Sequence, residues 1–425
     1  MILLLFTVFI VCLLLGVPVA FSLGLSSLAY ILAADIPLNI IPQRMFSGID
    51  SFVLLCIPGF ILAGNLMNTG GITQKIIGFC KAAVGHIRGG LGLADVGACM
   101  VFSGISGTAV ADAVSIGSIM IPAMEKEGYE TDFACALTAS ASTMGPIIPP
   151  SVPMIIAGTI TGLSVSRLFI AGAIPGLLLG LSLAGVSYYI SCKRNHPKGE
   201  RFSFKHLIKT FYEAFWALLT VIIILAGITF GIFTPTEAAM VAVVYALFAG
   251  FFIYKELRLR DLPRLLIETA ITTASLMVLV GFANVFAWIL ASEQIPQMVA
   301  DAMLSLTHNK YVILLLINLL LLFVGCFMET IAALLILFPI LLNVGTSVGV
   351  DPIHLAVICV LNLVIGLLTP PVGVCLFVTS SIGKISLGKM TRAVLPFLAV
   401  CLIVLILVTY IPAVTLFLPN LIFGQ

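Results

Sequence analysis

Two carboxylates stand inside strongly apolar stretches of the sequence, one in each half of the chain. Asp112 closes the string Ser103-Gly-Ile-Ser-Gly-Thr-Ala-Val-Ala-Asp112. Glu329, its counterpart in the second half, is the only charged residue between Lys310 and Asp351. Because a charged side chain within a membrane span is costly, both carboxylates are candidates for function.

Each carboxylate also has a structural interpretation, and these alternatives stay open from the sequence. The small residues around Asp112 allow close approach of helices, which explains the Gly and Ala but not the acid. Asp112 could cap a helix over residues 113–120. Glu329 could pair with a distant Lys or Arg.

Hydroxyl and carbonyl oxygens near these acids suit a hard monovalent cation. Such an ion takes carbonyl, hydroxyl and carboxylate oxygens, whereas thiolate and imidazole select other metals. Hydroxyls come from Ser103, Ser106, Thr108 and Thr369, and main-chain carbonyls lie near Gly145, Pro149, Gly325 and Gly366. The sequence has no Cys/His metal spacing, no HExxH and no Walker A pattern, so it carries no ATPase of its own.

The composition requires a membrane around these residues. The chain has 425 residues, of which 61% are hydrophobic and only 9% charged, whereas a soluble domain has about 25% charged residues. At roughly 20 apolar residues a span, the length allows about a dozen crossings. The net charge of +2 gives no reason to expect nucleic acid, and the ten cysteines are scattered small hydrophobes.

Apolar runs with turn punctuation predict the spans. We expect them at residues 2–32 (interrupted near Gly16 and Pro18), 52–67, 169–190, 211–233, 238–254, 270–291, 311–324, 331–342, 354–368 and 394–418, with a more amphipathic segment at 72–86. Residues 191–209 are the most strongly polar stretch and divide the chain into halves, 1–210 and 211–425. A second basic connector follows at 255–264, and the positive-inside rule places both connectors in the cytoplasm.

The two halves resemble each other at a constant offset of 221 residues. Pairs at this offset are Gly104 with Gly325, Gly128 with Gly349, Gly145 with Gly366, Pro149 with Pro370, and Pro150 with Pro371. Hydrophobic segments interrupted by Gly and Pro in both halves indicate a secondary transporter. Unpaired carbonyls at membrane depth have to face protein, water or an ion. Both an inverted and a parallel repeat give such an offset, and we expect the inverted one.

Longer strings resemble a known family, the large membrane subunit of tripartite ATP-independent periplasmic (TRAP) transporters. The resemblance covers essentially the whole chain. Besides the Ser103 to Asp112 string, it rests on Gly145-Pro-Ile-Ile-Pro-Pro-Ser151, Phe233-Thr-Pro-Thr-Glu-Ala238, Gly366-Leu-Leu-Thr-Pro-Pro-Val-Gly373 and Ile57-Pro-Gly-Phe-Ile-Leu-Ala-Gly-Asn65. It implies an all-α, polytopic helical bundle with inverted repeats and an elevator mechanism. It also implies one re-entrant hairpin per repeat, around residues 89–150 and 311–371.

The resemblance further implies a role and partners. The family imports organic acids with sodium as coupling ion and no other cofactor. It works in the bacterial inner membrane with a small four-helix membrane subunit and a periplasmic substrate-binding protein. Carried over by position, one sodium site takes Ser103, Ser106, Gly145 and Pro149, and the other takes Gly325, Gly366, Thr369 and Val372. Substrate contacts fall on Ser106, Thr108, Asp112, Ser151 and Glu329.

The sequence leaves alternatives open for the substrate and for the class of protein. Family members take C4-dicarboxylates, sialic acid or other sugar acids, and the second half favours sialic acid. The family's usual acid at position 329 is Asp, so Glu329 extends the reach of the charge by one methylene. A standalone ion-coupled dicarboxylate transporter is one alternative. The other is an intramembrane enzyme with Asp112 and Glu329 as a carboxylate pair. We expect a transporter and no enzyme, because neither metal ligands nor a nucleophile–base pair accompany the acids.

Overall fold

The computed structural model describes residues 1–199, 201–307, 309–370 and 372–424, and these residues form a bundle of α-helices. Lipid offers no hydrogen-bond partners, so a spanning segment has to pair its own backbone groups, as a helix does. The apolar runs therefore fold as helices, and the predicted all-α membrane architecture is confirmed. Pro371, paired above with Pro150, lies outside the described residues.

The first half of the chain supplies ten helices up to the polar connector. They are α1 (Ile2–Leu14), α2 (Val19–Ala33), α3 (Ile40–Ile49), α4 (Cys56–Thr69), α5 (Ile72–Val84), α6 (Gly90–Ser106), α7 (Ala109–Lys126), α8 (Thr131–Ser142), α9 (Val152–Thr161) and α10 (Val165–Lys193). A short 3₁₀ turn, Phe52–Leu55, leads directly into α4.

From Phe204 onwards the described residues supply another ten helices. They are α11 (Phe204–Thr229), α12 (Pro235–Phe248), α13 (Leu262–Ser292), α14 (Ile295–Leu306), α15 (Lys310–Gly325), α16 (Thr330–Ser347), α17 (Pro352–Gly366), α18 (Val374–Gly383), α19 (Leu387–Tyr410) and α20 (Ala413–Phe423). Helices α14 to α19 begin 220 to 223 residues after α5 to α10, in the same order.

Seven segments of the described chain are long and apolar enough to cross a membrane. They are Phe52–Thr69, Val165–Lys193, Phe204–Thr229, Pro235–Ile253, Leu259–Ser292, Thr330–Ser347 and Leu387–Tyr410. The expected interruption of residues 2–32 is confirmed, since α1 ends at Leu14 and Gly16 has a φ of +78°. The single span expected at 394–418 is wrong. Pro412, which lacks an amide donor, separates α19 from α20.

Helices stop within the apolar interior at two places in each half. In the first half α6 gives way to α7 at residues 107–108, and α8 is separated from α9 by residues 143–151. In the second half α15 gives way to α16 at residues 326–329, and α17 ends at Gly366, ahead of α18. These breaks coincide with the Gly- and Pro-containing strings of the sequence.

The halves are packed crosswise around these breaks. Helix α9 of the first half packs against α16 and α17 of the second half, and α18 of the second half packs against α7 and α8 of the first. Helices α10 and α19 pack against each other beside them. A separate group of contacts joins α2, α3 and α4 to α12 and α13. The crosswise arrangement brings breaks from both halves into one region.

Candidate functional site

The break between α6 and α7 is in contact with the break between α8 and α9. Gly107 has a φ of +66°, a conformation that suits a residue without a Cβ. A Cβ at Gly107 would lie 2.6 Å from the carbonyl oxygen of Pro150. The carbonyl of Gly107 accepts a hydrogen bond from the amide of Val152 at 3.2 Å. The two breaks of the first half therefore form one unit.

Asp112 is fully buried within this unit, in the first turn of α7. Its Oδ2 accepts a hydrogen bond from Ser103 Oγ at 2.9 Å, and its Oδ1 accepts one from Ser106 Oγ. Both serines belong to the last turn of α6. The carboxylate thus joins two helices across their break, and the start of α7 favours its negative charge.

The first turn of α7 also decides the capping hypothesis. The helix begins at Ala109 with Thr108 at its N-cap, so Asp112 lies inside the helix. The hypothesis that Asp112 caps residues 113–120 is therefore wrong. Its oxygens bond to hydroxyls of α6 and leave the amides of α7 to other partners.

Gly145 closes the pocket of Asp112 from the other side. A Cβ on Gly145 would lie 2.7 Å from Asp112 Oδ2 and 2.8 Å from the carbonyl oxygen of Thr108. Ser103, Ser106, Thr108 and Gly145 therefore meet around one carboxylate. Pro149 is buried in the same break, but no hydrogen bond among the described residues links it to Asp112.

Two predicted substrate residues of the first half differ in access. Thr108 is half-buried. Ser151 is fully buried and caps α9, where its Oγ accepts from the amide of Met154 at 3.2 Å. The Ser151 hydroxyl also donates to the carbonyl of Pro146. Its hydrogen bonds are thus directed to its own segment, whereas Thr108 presents surface to a ligand.

The second half brings its four predicted sodium residues together through backbone. A Cβ on Gly366 would lie 2.7 Å from backbone atoms of Gly325, so two glycine backbones touch. Thr369 Oγ1 donates to the carbonyl of Gly366 at 2.7 Å and accepts from Cys326 Sγ at 3.2 Å. The amide of Val372 donates to the carbonyl of Cys326 at 3.3 Å. This cluster contains main-chain oxygens and one hydroxyl.

Glu329 is placed differently from Asp112. It is exposed at the N-cap of α16, and its Oε2 accepts from the amides of Ile331 at 3.0 Å and Ala332 at 3.2 Å. The offset of 221 aligns Glu329 with Thr108, the N-cap of α7, so it is not the positional counterpart of Asp112. Among the described residues neither acid forms an ion pair. The alternative in which Glu329 pairs with a base is therefore wrong for this structure.

A cleft between the two groups of helices contains a base that the sequence reasoning passed over. Its volume is about 310 Å³, and it is lined by residues of α3, α9, α13 and α16, among them Arg44, Asn284 and Trp288. The guanidinium of Arg44 lies 5.1 Å from the centre of the Trp288 ring, a favourable cation–π distance. The available signal was that Arg44 is the only Lys or Arg ahead of Lys75.

Comparisons with known proteins agree over nearly the whole chain. The family model described as "Tripartite ATP-independent periplasmic transporter, DctM component" matches residues 6–414. The sialic acid TRAP transporter large permease SiaM of Vibrio cholerae is 48% identical, over 96% of each chain. The C4-dicarboxylate TRAP transporter large permease DctM of Pseudomonas aeruginosa is 44% identical, over 94% of each chain.

A solved structure supports the fold. The YdaH transporter of Alcanivorax borkumensis superposes with a TM-score of 0.62 at 15% identity, covering 88% of each chain. At that identity the likeness concerns the fold alone. No group of three His, Cys, Asp or Glu residues that could hold a metal occurs among the described residues.

Proposed function

The chain belongs to the family of DctM components of TRAP transporters, and we propose that it is the large membrane subunit of a sodium-driven importer of an organic acid. The family is one of transport proteins, so the alternative of an intramembrane enzyme is excluded. The observation that carries sodium coupling is the buried carboxylate Asp112, which is surrounded by oxygens of a broken helix pair and forms no ion pair with a base among the described residues.

The first proposed sodium site is the pocket of Asp112. An isolated buried carboxylate is strongly destabilised unless a positive charge or several donors compensate it. The hydroxyls of Ser103 and Ser106 supply two donors, and they can turn their lone pairs towards a cation instead. The carbonyl of Thr108 and the backbone at Gly145 adjoin the same carboxylate. We assign Pro149 to this site from the family resemblance.

The second proposed sodium site is the cluster of Gly325, Gly366, Thr369 and Val372. Its oxygens are main-chain carbonyls and one hydroxyl, which suit a monovalent ion whose hydration shell they replace. Close contact of the two glycines brings carbonyls of two helix ends together. The C-terminal ends of α15 and α17 also direct negative partial charge to this point.

The proposed architecture is an inverted repeat of residues 1–210 and 211–425, with hairpins around 89–150 and 311–371. Matching helix starts at a near-constant offset support the repeat. The crosswise packing of α9 and α18 is what a two-fold relation between the halves would produce. In the proposed elevator, the site-bearing helices move against the group of α2, α3, α4, α12 and α13.

The proposed substrate is an organic acid, with sialic acid the first choice. The relatives named above are a sialic acid permease and a C4-dicarboxylate permease. Asp112 and Ser106 would act on the substrate through the adjoining sodium ion, and half-buried Thr108 and exposed Glu329 offer direct contacts. Ser151 would contribute by shaping the start of α9. The cleft of Arg44 contains a cation suited to a carboxylate.

The proposed partners are a small four-helix membrane subunit and a periplasmic substrate-binding protein. The matched family is one component of a tripartite system, and the relatives are named large permeases. The multi-pass chain would then lie in the bacterial inner membrane. Its two basic connectors would face the cytoplasm.

Uptake by the reconstituted system tests the proposal. The chain is placed in liposomes with its small subunit, the binding protein is added outside, and uptake of labelled sialic acid is followed. An inward sodium gradient should drive accumulation, and its collapse with a sodium ionophore should abolish it. Uptake that ignores the sodium gradient would overturn sodium coupling. Sodium-driven uptake of C4-dicarboxylates but not sialic acid would overturn the substrate choice alone.

A further inference from the structure

A second buried acid, Asp95, lies outside both proposed sodium sites. It is located on α6 and is fully buried. Its Oδ2 accepts a hydrogen bond from Thr138 Oγ1 at 2.9 Å, and its Oδ1 has no partner within the described residues. No Lys, Arg or His of the described chain forms an ion pair with it. One hydrogen bond is far too little compensation for an ionised carboxylate in such an interior.

Asp95 shares a face of α6 with the first sodium site but is set well apart from it. Asp95, Cys99 and Ser103 are spaced by four residues, which places them along one side of the helix. The Ser103 hydroxyl lies 2.6 Å from the carbonyl of Cys99 and 2.9 Å from Asp112 Oδ2. Eight residues of helix separate Asp95 from Ser103, or about 12 Å. Asp95 is therefore not a ligand of the site around Asp112.

A line of polar groups leads from Asp95 to the face that carries the basic connector. Ser187 of α10 is fully buried, and its Oγ has no partner among the described residues. That oxygen would lie 3.0 Å from a Cβ on Gly92, one turn of α6 before Asp95. One turn further along α10, Ser191 Oγ lies 3.1 Å from His196 Nδ1. His196 is buried, and its Nε2 contacts the exposed residue Glu130.

The surface end of this line is an acid–imidazole pair. His196 Nε2 lies 2.6 Å from Glu130 Oε2, and the Glu130 side chain is half exposed. Arg194 Nη1 lies 3.5 Å from the same Glu130 oxygen. The Tyr129 ring lies 4.5 Å from the imidazole, between centroids, and its hydroxyl accepts from the amide of Leu91. An imidazole between a solvent-exposed carboxylate and a buried hydroxyl is able to pass protons.

Other titratable groups around Asp95 do not neutralise it. The helices packed against α6 are α4, α5, α7, α8, α10 and α11. Titratable groups on and beside these helices include Cys99 on α6, Cys80 on α5, Asp112 on α7 and Tyr129 ahead of α8, with His196 beyond the end of α10. In the described chain, α4 and α11 bring no side chain within hydrogen-bond distance of Asp95. None of these groups is a base in contact with the carboxylate.

We propose that Asp95 is a proton-binding site, loaded from the face of the basic connector along His196, Ser191 and Ser187. Passage of a proton from Nε2 to Nδ1 leaves His196 in its other neutral tautomer, and rotation of the imidazole ring restores the first. Ser191 and Ser187 mark the way inward without forming a continuous hydrogen-bond chain, because Ser187 Oγ has no partner among the described residues. Asp95 gains one proton and becomes neutral. The site thereby makes uptake depend on pH separately from sodium.

The test uses the purified full chain in lipid nanodiscs and infrared spectroscopy of the protonated carboxyl C=O stretch. The variant Asp95→Asn keeps an oxygen for the Thr138 hydroxyl but cannot be protonated. The matched control Asp132→Asn removes a partly exposed acid at the start of α8. We expect wild type and the control to show a band that vanishes at alkaline pH. In Asp95→Asn the part of the band intensity that comes from Asp95 should be missing. Equal band intensity in wild type and Asp95→Asn at every pH would overturn the proposal.

Two further measurements protect the test against a variant that fails to fold. Thr138→Val removes the only hydrogen bond to Asp95 at nearly constant volume, and should move the pH at which the band vanishes by about one unit. If the band of Thr138→Val vanishes at the same pH as in wild type, the proposal would also be overturned. At pH values above its pKa, the protonated fraction of a single group changes about tenfold per pH unit. If uptake follows the protonation of Asp95, the uptake rate should show this pH dependence. Asp95→Asn should flatten that dependence while leaving the response to sodium in place.

The line of access has its own variant. His196→Gln leaves Asp95 intact and removes the group that passes protons. After a rapid pH jump, the Asp95 band should reach the same final intensity as in wild type but at least about tenfold more slowly, because general acid–base groups typically contribute 10²–10⁴-fold to proton transfer. An unchanged rate would show that protons reach Asp95 by another way and would overturn the proposed route.

Discussion

The two acids that stand out in the sequence occupy contrasting surroundings. Asp112 is sealed inside α7 and bonded to two hydroxyls of another helix. Glu329 is exposed and bonded to the amides of its own helix. The backbone around them is closely matched, since α7 and α16 both have 18 residues and begin 221 residues apart. A repeated backbone can therefore hold different side-chain chemistry at each of its copies.

The glycines show the same divergence. Gly145 presses against the carboxylate of Asp112, whereas Gly366 presses against the backbone of Gly325. At the first proposed site the negative charge for a cation would come from a side chain, and at the second it would come from carbonyl dipoles. The first proposed site should accordingly depend on one residue, and the second on close approach of two helix ends.

Neutralising the two acids gives the largest difference between the sites. Asp112→Asn removes a buried charge and turns one acceptor into a donor facing a serine. Since hydrogen bonds to charged groups contribute about 1.5–3 kcal/mol each, sodium-driven uptake should fall about a hundredfold or more. Glu329→Gln keeps an oxygen for the amides of Ile331 and Ala332 and should lower uptake only a few-fold. Initial uptake rates at saturating sodium measure both, and equal losses would erase the proposed contrast.

Adding one methyl group to each glycine tests the close approaches. Gly145→Ala places its Cβ 2.7 Å from Asp112 Oδ2, and Gly366→Ala places its Cβ 2.7 Å from the Gly325 backbone. Each should destabilise the chain by roughly 1–3 kcal/mol and lower the temperature of unfolding in detergent. The matched control is Gly185→Ala, because nothing lies within 4 Å of its Cβ position. A normal unfolding temperature for Gly366→Ala would remove the support for a backbone-built site.

Removing single hydroxyl groups tests each proposed sodium site, with a smaller expected effect on uptake. Ser106→Ala should raise the sodium concentration needed for half-maximal uptake about tenfold, because it removes one oxygen from the carboxylate pocket. Thr369→Val should have a similar effect on the second site, since it removes the only side-chain hydroxyl of that cluster. Ser118→Ala is the control on α7, where the hydroxyl bonds only to its own helix at Ser115. If the control changes sodium dependence as much as Ser106→Ala does, the proposed ligand role fails.

The cap of α16 is a stability feature that α7 lacks. Glu329→Ala leaves two amides of the first turn without a side-chain acceptor and should destabilise the protein by about 1 kcal/mol. Thr108 has no side-chain cap bond, so Thr108→Ala should change stability by much less. Thermal unfolding of the two variants makes the comparison. Equal shifts would mean that the two N-caps are equivalent.

A further repeated pair, Glu130 and Asp351, gives the smallest effect. Asp351 caps α17, whereas Glu130 at the same position before α8 contacts His196. Burial raises the pKa of Glu130, but the hydrogen bond from His196 and the charge of Arg194 outweigh it, so the pKa lies below the usual value. A carboxylate with a lowered pKa stabilises the fold fully above its ordinary pKa and loses that contribution as pH falls through its folded pKa. Glu130→Gln should make acid unfolding less steep there, as followed by thermal unfolding against pH.

The sequence predicted the framework better than the details of the site. Apolar runs and Gly/Pro strings located the membrane helices and their breaks, because hydrophobicity and backbone restrictions are local properties. The role of Asp112 as a bridge between α6 and α7 could not be read, because a capping and a bridging acid have the same local sequence. Hydropathy alone predicts a continuous span at residues 394–418, because the apolar run is not interrupted, although Pro412 lies within it. Asp95 and Arg44 became apparent only when packing showed their partners.

The crosswise packing of α9 and α18 has a consequence for how the chain is made. Helix α18 covers α7 and α8, but it is synthesised more than 200 residues after them. Until α18 is made, α7, which carries Asp112, lacks its contacts with α18. Helix α9 likewise lacks its contacts with α16 and α17 until those helices are made. Packing of the first half is therefore not completed in the order in which its helices are made. A nascent chain interrupted before α18 would leave its first half unfinished, with a polar pocket open to lipid and available to quality-control proteases.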